Sequence, residues 1–294
     1  MELRHLRYFL AVAREGNMTR AAASLHVTQP TLSRQLAALE QELGSELFVR
    51  ESRGVALTDS GMLLRKRAEE IVALADRTER EMLADDAQVE GDIWIGGGET
   101  RTMALIARAM TTLTRAHPNV QLRLHSGNAE DVIERVDKGL LDFGLIIGRE
   151  PERRFESMEL PARERWGILR RAADPLATRD ALTSRDLAGR GLIISDQLAD
   201  PTRRNERIEW IGAVPGARVV ATYTLLYNAS LLVEQGMGIA LCLDGIVATG
   251  AGTPFAFVPT DLQPQTNTYL IWKRFVPLSR AAGAFLREMR AGIA

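Results

Sequence analysis

The sequence predicts a small helical unit with a two-stranded wing, a long helix after it, and then an α/β region in two lobes. Three observations carry that expectation. Apolar residues recur at helical spacing through the first eighty positions. At Gly91 the pattern changes to short apolar runs alternating with helical stretches. The chain, at 294 residues, is also longer than one domain commonly needs.

Leu3, Leu6, Phe9, Leu10 and Ala13 form an apolar stripe that Gly16 ends. Asn17 is placed to cap an alanine-rich helix over 18–25, and His26 and Val27 then turn the chain. Thr28 caps the next helix, with Pro30 in a first turn where a missing N–H costs nothing. There Leu32, Leu36, Leu39 and Leu43 fall at steps of four, three and four, so all four are expected on one buried face, and Gly44 stops the helix. Two helices around so short a turn make a helix–turn–helix. Apolar runs over 47–50 and 55–57 flank the polar turn Glu51-Ser52-Arg53-Gly54, which predicts a β-hairpin, the wing of a winged helix–turn–helix. Thr58 opens a charged stretch over 59–87 in which Leu64, Ala68, Ile71, Ala75, Thr78 and Met82 alternate steps of four and three. Such a seam predicts a helix that pairs with another helix, held weakly at Ala68, Ala75 and Thr78.

Beyond Gly91, strands are expected over 92–95, 120–125 and 143–147, with helices over 100–116 and 129–138 between them. An irregular, arginine-rich stretch is expected over 149–171. Alternation resumes with strands over 192–195, 219–221, 239–243, 255–258 and 268–272 and helices over 202–211, 225–235 and 279–290. Repeated strand–helix–strand units imply parallel sheets covered by helices.

Composition excludes several classes. With 46% hydrophobic residues, 26% charged residues and a formal net charge of -1, the chain is no disordered tail, collagen-like rod or uniformly polybasic nucleic-acid binder. No apolar run approaches the ~18 residues of a membrane helix, and the first thirty residues hold no signal-peptide core, so a soluble, cytoplasmic chain is expected, with no membrane partner. Cys242 is the single cysteine, which rules out a disulfide framework, and its apolar neighbours predict a small core residue. His5, His26, His117 and His125 lack metal-ligand spacing. No nucleophile elbow or Walker loop is present. Neither a catalytic residue, nor a metal, nor a cofactor is expected.

Residues 1–60 carry seven Arg and seven acids, so bulk charge cannot hold nucleic acid and any binding must come from one face. Opposite Leu32, Leu36 and Leu39, the helix presents Pro30, Arg34, Ala37 and Gln41, with Ser33 on the flank and Gln29 at the tip. This short-chained surface suits a major groove, where Gln29 can pair with adenine and Arg34 with guanine. Thr31 and Ser33 can contact phosphates or bases, the helix N-terminus favours phosphate, and Thr28 stands with them at the DNA-facing tip. Arg50 and Arg53 on the hairpin are placed for a minor groove or the backbone, and Arg20 is a further phosphate candidate. The plainer alternative is a helical bundle whose polar residues are only solvated.

Ala21-Ala22-Ala23-Ser24-Leu25, Thr28-Gln29-Pro30-Thr31-Leu32-Ser33, Leu39-Glu40, Leu43-Gly44, Leu47-Phe48-Val49-Arg50 and Leu57-Thr58-Asp59-Ser60-Gly61 together resemble the N-terminal domain of LysR-type transcriptional regulators. Gly127-Asn128, Gly139-Leu140-Leu141-Asp142-Phe143 and Val233-Glu234-Gln235-Gly236-Met237-Gly238-Ile239-Ala240 resemble landmarks of that family's effector domain. The resemblance implies a DNA-binding domain over 1–58, a linker and dimerisation helix over 59–88, and a two-lobed effector domain of periplasmic-binding-protein (type II) form over 89–294. In that division lobe one spans about 91–162 and 266–294, and lobe two about 163–265. Double-stranded promoter DNA, a small-molecule effector, a second or fourth copy of the chain, and RNA polymerase are the partners it implies. The rival readings are an α/β enzyme and a solute-binding module without a transcriptional role.

Gly96-Gly97-Gly98-Glu99-Thr100 follows a strand and opens a helix. Phosphate binding and a turn that simply needs small residues both fit it, although Arg101 stands where a dinucleotide fingerprint has its third glycine. The resemblance places Gly98, Glu99, Thr100, Asn128 and Gly148 on one wall of an effector pocket and Ser195, Asp196, Thr202, Tyr227 and Asn228 on the other, with Arg204 within reach. Asn128 also reads as an N-cap, and Asn228, if buried, needs either a ligand or a backbone partner. An acid at position 99 occupies the spot that a carboxylate ligand favours. The effector is therefore expected to be neutral-polar or cationic, or to bind through Arg101 or Arg149.

Overall fold

A computed structural model describes residues 1–51, 54–83, 88–199, 206–261 and 266–293. The chain divides into two compact units, Met1–Asp86 and Ala87–Ala294.

The first unit contains α1 (Leu3–Glu15), α2 (Met18–Ser24), α3 (Gln29–Leu43), β1 (Phe48–Glu51), β2 (Gly54–Leu57) and α4 (Asp59–Leu83). Local chemistry fixes the helix ends. Gly16 and Gly44 close α1 and α3 in the left-handed conformation, at φ 59° and 64°. The Asn17 side chain accepts the Thr19 and Arg20 amides, and Thr28 accepts the Thr31 amide. The strands pair antiparallel, Phe48 opposite Leu57. Leu6, Phe9, Leu32, Leu36, Leu39 and Leu47 form the core, and the Phe9 and Phe48 rings lie 5.2 Å apart. Glu40 binds the wing to α3 by accepting the Leu47 and Phe48 amides.

Two expectations for this unit are corrected. Leu43 is 40% exposed, because it is the last residue of α3, where the helix leaves the core. The pairing seam on α4 also divides. Ala68 is fully buried, and Leu64 and Val72 pack beside it on the unit's own core. Ile71, Leu74 and Met82 are exposed, as is Thr78, and Ala75 is half-buried. Positions spaced by four from Leu64 face α1, so they are spent within the chain, and the outward stripe lies one position over.

The second unit holds two five-stranded sheets. Lobe one contains β3 (Gly91–Gly97), α5 (Met103–Ala116), β4 (Val120–Ser126), α6 (Ala129–Asp137), β5 (Phe143–Ile147), β6 (Phe155–Glu164), β12 (Thr266–Lys273) and α10 (Arg280–Ala291), with strand order β4-β3-β5-β12-β6. Lobe two contains β7 (Trp166–Arg171), β8 (Gly191–Ser195), α7 (Asp196–Ala199), α8 (Glu206–Gly212), β9 (Arg218–Tyr223), α9 (Leu226–Glu234), β10 (Ile239–Leu243) and β11 (Phe255–Pro259), in the order β11-β7-β10-β8-β9. The chain crosses between lobes at Arg165 and again between β11 and β12. In lobe one, α5 and α10 cover one sheet face around Ile95, Phe143 and Phe285, and α6 covers the other around Val136, Ile146 and Ile271. In lobe two, Leu169, Ile193 and Cys242 lie under α9.

Three readings change here. The sheets are mixed, because β12 runs antiparallel to β5 and β6, and β7 antiparallel to β10 and β11. The arginine-rich stretch over 149–171 contains β6 and β7; β6 is an edge strand, whose outward charges mask its alternation. Helix α5 starts at Met103, so Thr100 belongs to the preceding turn. The expected helix over 202–211 is described only from Glu206.

Candidate nucleic-acid interface and interlobe cleft

Helix α3 exposes Thr28, Gln29, Pro30 and Arg34 and half-buries Thr31 and Ser33. The Thr28 and Thr31 hydroxyls lie 2.9 Å apart, so the tip is internally ordered while its face stays open. Arg50 is exposed on β1. Arg20 is partly committed, its guanidinium donating to the Glu15 carbonyl and lying 3.8 Å from the Glu15 carboxylate. Arg53 lies outside the described residues.

Between the lobes is a cavity of about 470 Å³. Gly98, Glu99, Asn128 and Gly148 line it from lobe one, and Ser195 and Asp196 from lobe two, beside the C-terminal ends of β3, β5 and β8. The Asn128 oxygen accepts the Glu130 and Asp131 amides, so it caps α6 and faces the cavity at once. Asp196 accepts the Thr224 hydroxyl at 3.0 Å. Glu99 reaches across the cleft, and its Oε2 accepts the amide of Leu226, the first residue of α9.

The other residues expected at this pocket are placed elsewhere or lie outside the described residues. Thr100 is absent from this cavity's wall and lines a smaller neighbouring cavity, with its hydroxyl donating to Glu164. Tyr227 and Asn228 are exposed and absent from the cavity wall, so neither needs a buried partner. The tyrosine that lines the cavity is Tyr223, at the end of β9, with its hydroxyl donating to the Leu241 carbonyl at 2.8 Å. Burial, then Cys242 and Glu99, raises its pKa well above the ordinary range. Its place at a strand's C-terminal end was the available signal. Trp166, Gln197 and Arg149 also line the cavity, and Arg149 donates to Glu152 at 2.7 Å. Arg101 lines a smaller neighbouring cavity, packed where a side chain at Gly245 would stand. Thr202, Arg203 and Arg204 lie outside the described residues.

The turn carrying Glu99 is anchored from behind. Thr100 and Thr102 both donate to Glu164, Thr102 at 2.5 Å, and Glu164 is buried at the end of β6, one residue before the first interlobe crossing. Among the described residues, no group of three or more His, Cys, Asp or Glu is placed to hold a metal ion. No described helix is long and apolar enough to cross a membrane.

Residues 3–62 match the bacterial regulatory helix-turn-helix protein family of lysR type, and residues 86–294 match the LysR substrate binding domain. The chain is similar to the uncharacterized HTH-type transcriptional regulator YvbU of Bacillus subtilis, at 26% identity over 90% of this chain and 89% of that one. It is also similar to the HTH-type transcriptional regulator GbpR of Azospirillum brasilense, at 28% identity over 99% and 86%. In fold it resembles full-length CbnR, solved in complex with its target DNA, with a TM-score of 0.74 at 22% identity over 99% of this chain and all of that one. An open recognition-helix face and a two-lobed cleft thus sit in a chain that belongs to the LysR family, as a DNA-binding transcription regulator with an effector-binding substrate domain.

Proposed function

We propose that two copies of this chain pair along the outward stripe of α4, Leu63, Ile71, Leu74, Thr78 and Met82, within the linker segment 59–88. Each then presents the tip of α3 to one of two successive major grooves of promoter DNA. Gln29 and Arg34 read base edges, and Thr28, Thr31, Ser33 and the α3 N-terminus hold phosphate. Arg50, with Arg53, grips the backbone or a minor groove, and Arg20 gives a weaker phosphate contact because Glu15 shares its charge. The resulting dimer or tetramer engages RNA polymerase in the cytoplasm. The observation that carries the DNA contacts is the exposed, acid-free face at the start of α3.

In the effector domain, a small molecule enters the interlobe cavity and meets Gly98, Asn128, Gly148, Ser195 and Asp196, with Tyr223 added and Thr100, Tyr227 and Asn228 removed from the set expected beforehand. Regulation follows if that ligand binds two arrangements of the lobes with different affinity; a tenfold difference is ~1.4 kcal/mol, within reach of one or two hydrogen bonds. The DNA reading is tested by gel shift with the DNA upstream of the chain's own coding region. Arg34→Ala is expected to lose about tenfold to hundredfold in affinity and to relax base preference. Unchanged affinity and preference in a folded Arg34→Ala protein would refute the assigned face.

A further inference from the structure

We propose that Glu99 is a tethered carboxylate that fills the anion seat at the start of α9, and that it thereby sets the cleft's ligand class: positively charged amines accepted, acids refused. The proposal rests on reading the interlobe cavity as the effector site.

A helix begins with amide N–H groups that have no partner inside it, and an acceptor or negative charge is favoured there. Helices α2, α3, α6 and α10 meet that need locally, through Asn17, Thr28, Asn128 and Ser279. Helix α9 cannot, since its N-cap is Leu225, which has no acceptor side chain. The acceptor comes instead from the other lobe, where Glu99 Oε2 takes the Leu226 amide. Both residues line the cavity, so the seat lies where a ligand would lie.

A free acid must displace a group that never diffuses away. A short tether holds its group at an effective concentration on the order of millimolar, which a weakly binding acid does not overcome. The rest of the wall repeats the bias. Among the described lining residues the charged groups are Glu99, Glu130, Asp196 and Arg149, and Arg149 is already bonded to Glu152 at 2.7 Å. An entering acid meets, among these residues, carboxylates from both lobes, Glu99 and Asp196, and one cation that is already engaged, whereas an ammonium or guanidinium group meets an acceptor on each lobe. The turn that carries Glu99 is held in place, because Thr100 and Thr102 fasten it to the buried Glu164, so only the side chain is free to exchange partners. A cation that draws the Glu99 carboxylate to itself loosens the interlobe contact at Leu226, so ligand charge and lobe arrangement are coupled through one oxygen.

The test uses the full chain and two probes of equal length and opposite charge, 1,5-diaminopentane and glutarate, at matched ionic strength. Melting temperature is the readout, because a ligand that binds the folded form raises it. The wild type is expected to be stabilised by the diamine and not by glutarate, and Glu99→Ser to reverse that order with a tenfold or greater gain in glutarate affinity by calorimetry. Glu99→Gln, which keeps size and an acceptor oxygen without charge, is expected to lose the preference for the diamine and guards against a serine variant that misfolds. The same order of probes in wild type and both variants overturns the proposal. Gly98→Phe, which fills the cavity, separates the two readings. Probe effects that persist in it place binding outside the cleft and overturn the cleft reading itself, whereas effects that vanish in it while Glu99→Ser keeps the wild-type order overturn only the role of Glu99.

Discussion

The tips of α3 and α9 face the same physical problem and solve it at opposite ranges. Thr28 caps α3 three residues from the amide it accepts, leaving Gln29, Pro30 and Arg34 exposed. Helix α9 is capped by Glu99, 127 residues earlier in the chain and on the other lobe. The local cap orders a surface and keeps it open for a large external anion. The remote cap closes the surface with a charge of the chain's own and makes the cap depend on how two lobes stand together. A recognition surface has to be ready before its partner arrives; a sensing surface needs a contact that its ligand can break.

If buried polar contacts carry the sensing unit while a surface cap suffices in the recognition unit, the largest loss should follow from removing the partner of a buried charge. Asp174 takes Arg190 at 2.5 Å and lies 3.6 Å from Arg170, whose side chain is fully buried. Burial pushes the Asp174 carboxyl up, but the Leu176 amide, Arg190 and Arg170 outweigh it and hold the group below the usual carboxylate range. Asp174→Ala leaves Arg170 as an uncompensated buried charge and is expected to cost about 3–5 kcal/mol by urea denaturation. The folded carboxyl is the stronger acid, so its contribution is present above the usual carboxylate range and is lost as pH falls through the depressed value. In Asp174→Asn that acid limb of the stability profile should be missing; a profile identical to wild type would show that the cluster contributes nothing.

A smaller effect is expected at the local cap. Thr28→Ala should cost about 1 kcal/mol, read as a lower urea midpoint for the helical signal of the first unit. A Thr28→Ala loss exceeding that of Asp174→Ala would break the comparison outright. Smallest of all is the response of Cys242. Burial pushes its thiol far up, and its side chain is 1% exposed. Thiolate is the reactive form, so iodoacetamide should leave the native chain unmodified and react only at the rate of unfolding. Rapid native-state alkylation would mean that the sheet of lobe two opens far more readily than its packing implies.

Sequence pattern made the first unit legible nearly residue by residue, because its helices, caps and hairpin rest on partners a few positions apart: Asn17 with Thr19 and Arg20, Thr28 with Thr31, Gly16 and Gly44 at their helix ends. Its errors arose where a second element competes for a face, as when α1 claims Leu64 and Ala68 from the expected pairing seam. The cleft was legible only in part. Gly98, Glu99, Asn128, Gly148, Ser195 and Asp196 line it, but the tyrosine on its wall is Tyr223 and not Tyr227, four residues further on in the first turn of α9. Periodicity marks which face of a helix is buried and cannot say which strand end looks into a gap between lobes.

Residue order by itself therefore determined most of the element types, the open face of α3 and the presence of an acid at position 99. Folding in three dimensions decided what that acid touches. The reason is range: a cap, a turn or an apolar stripe is written within one or two helical turns, whereas the Glu99–Leu226 contact exists only because two sheets, joined by two crossings, bring their strand ends together.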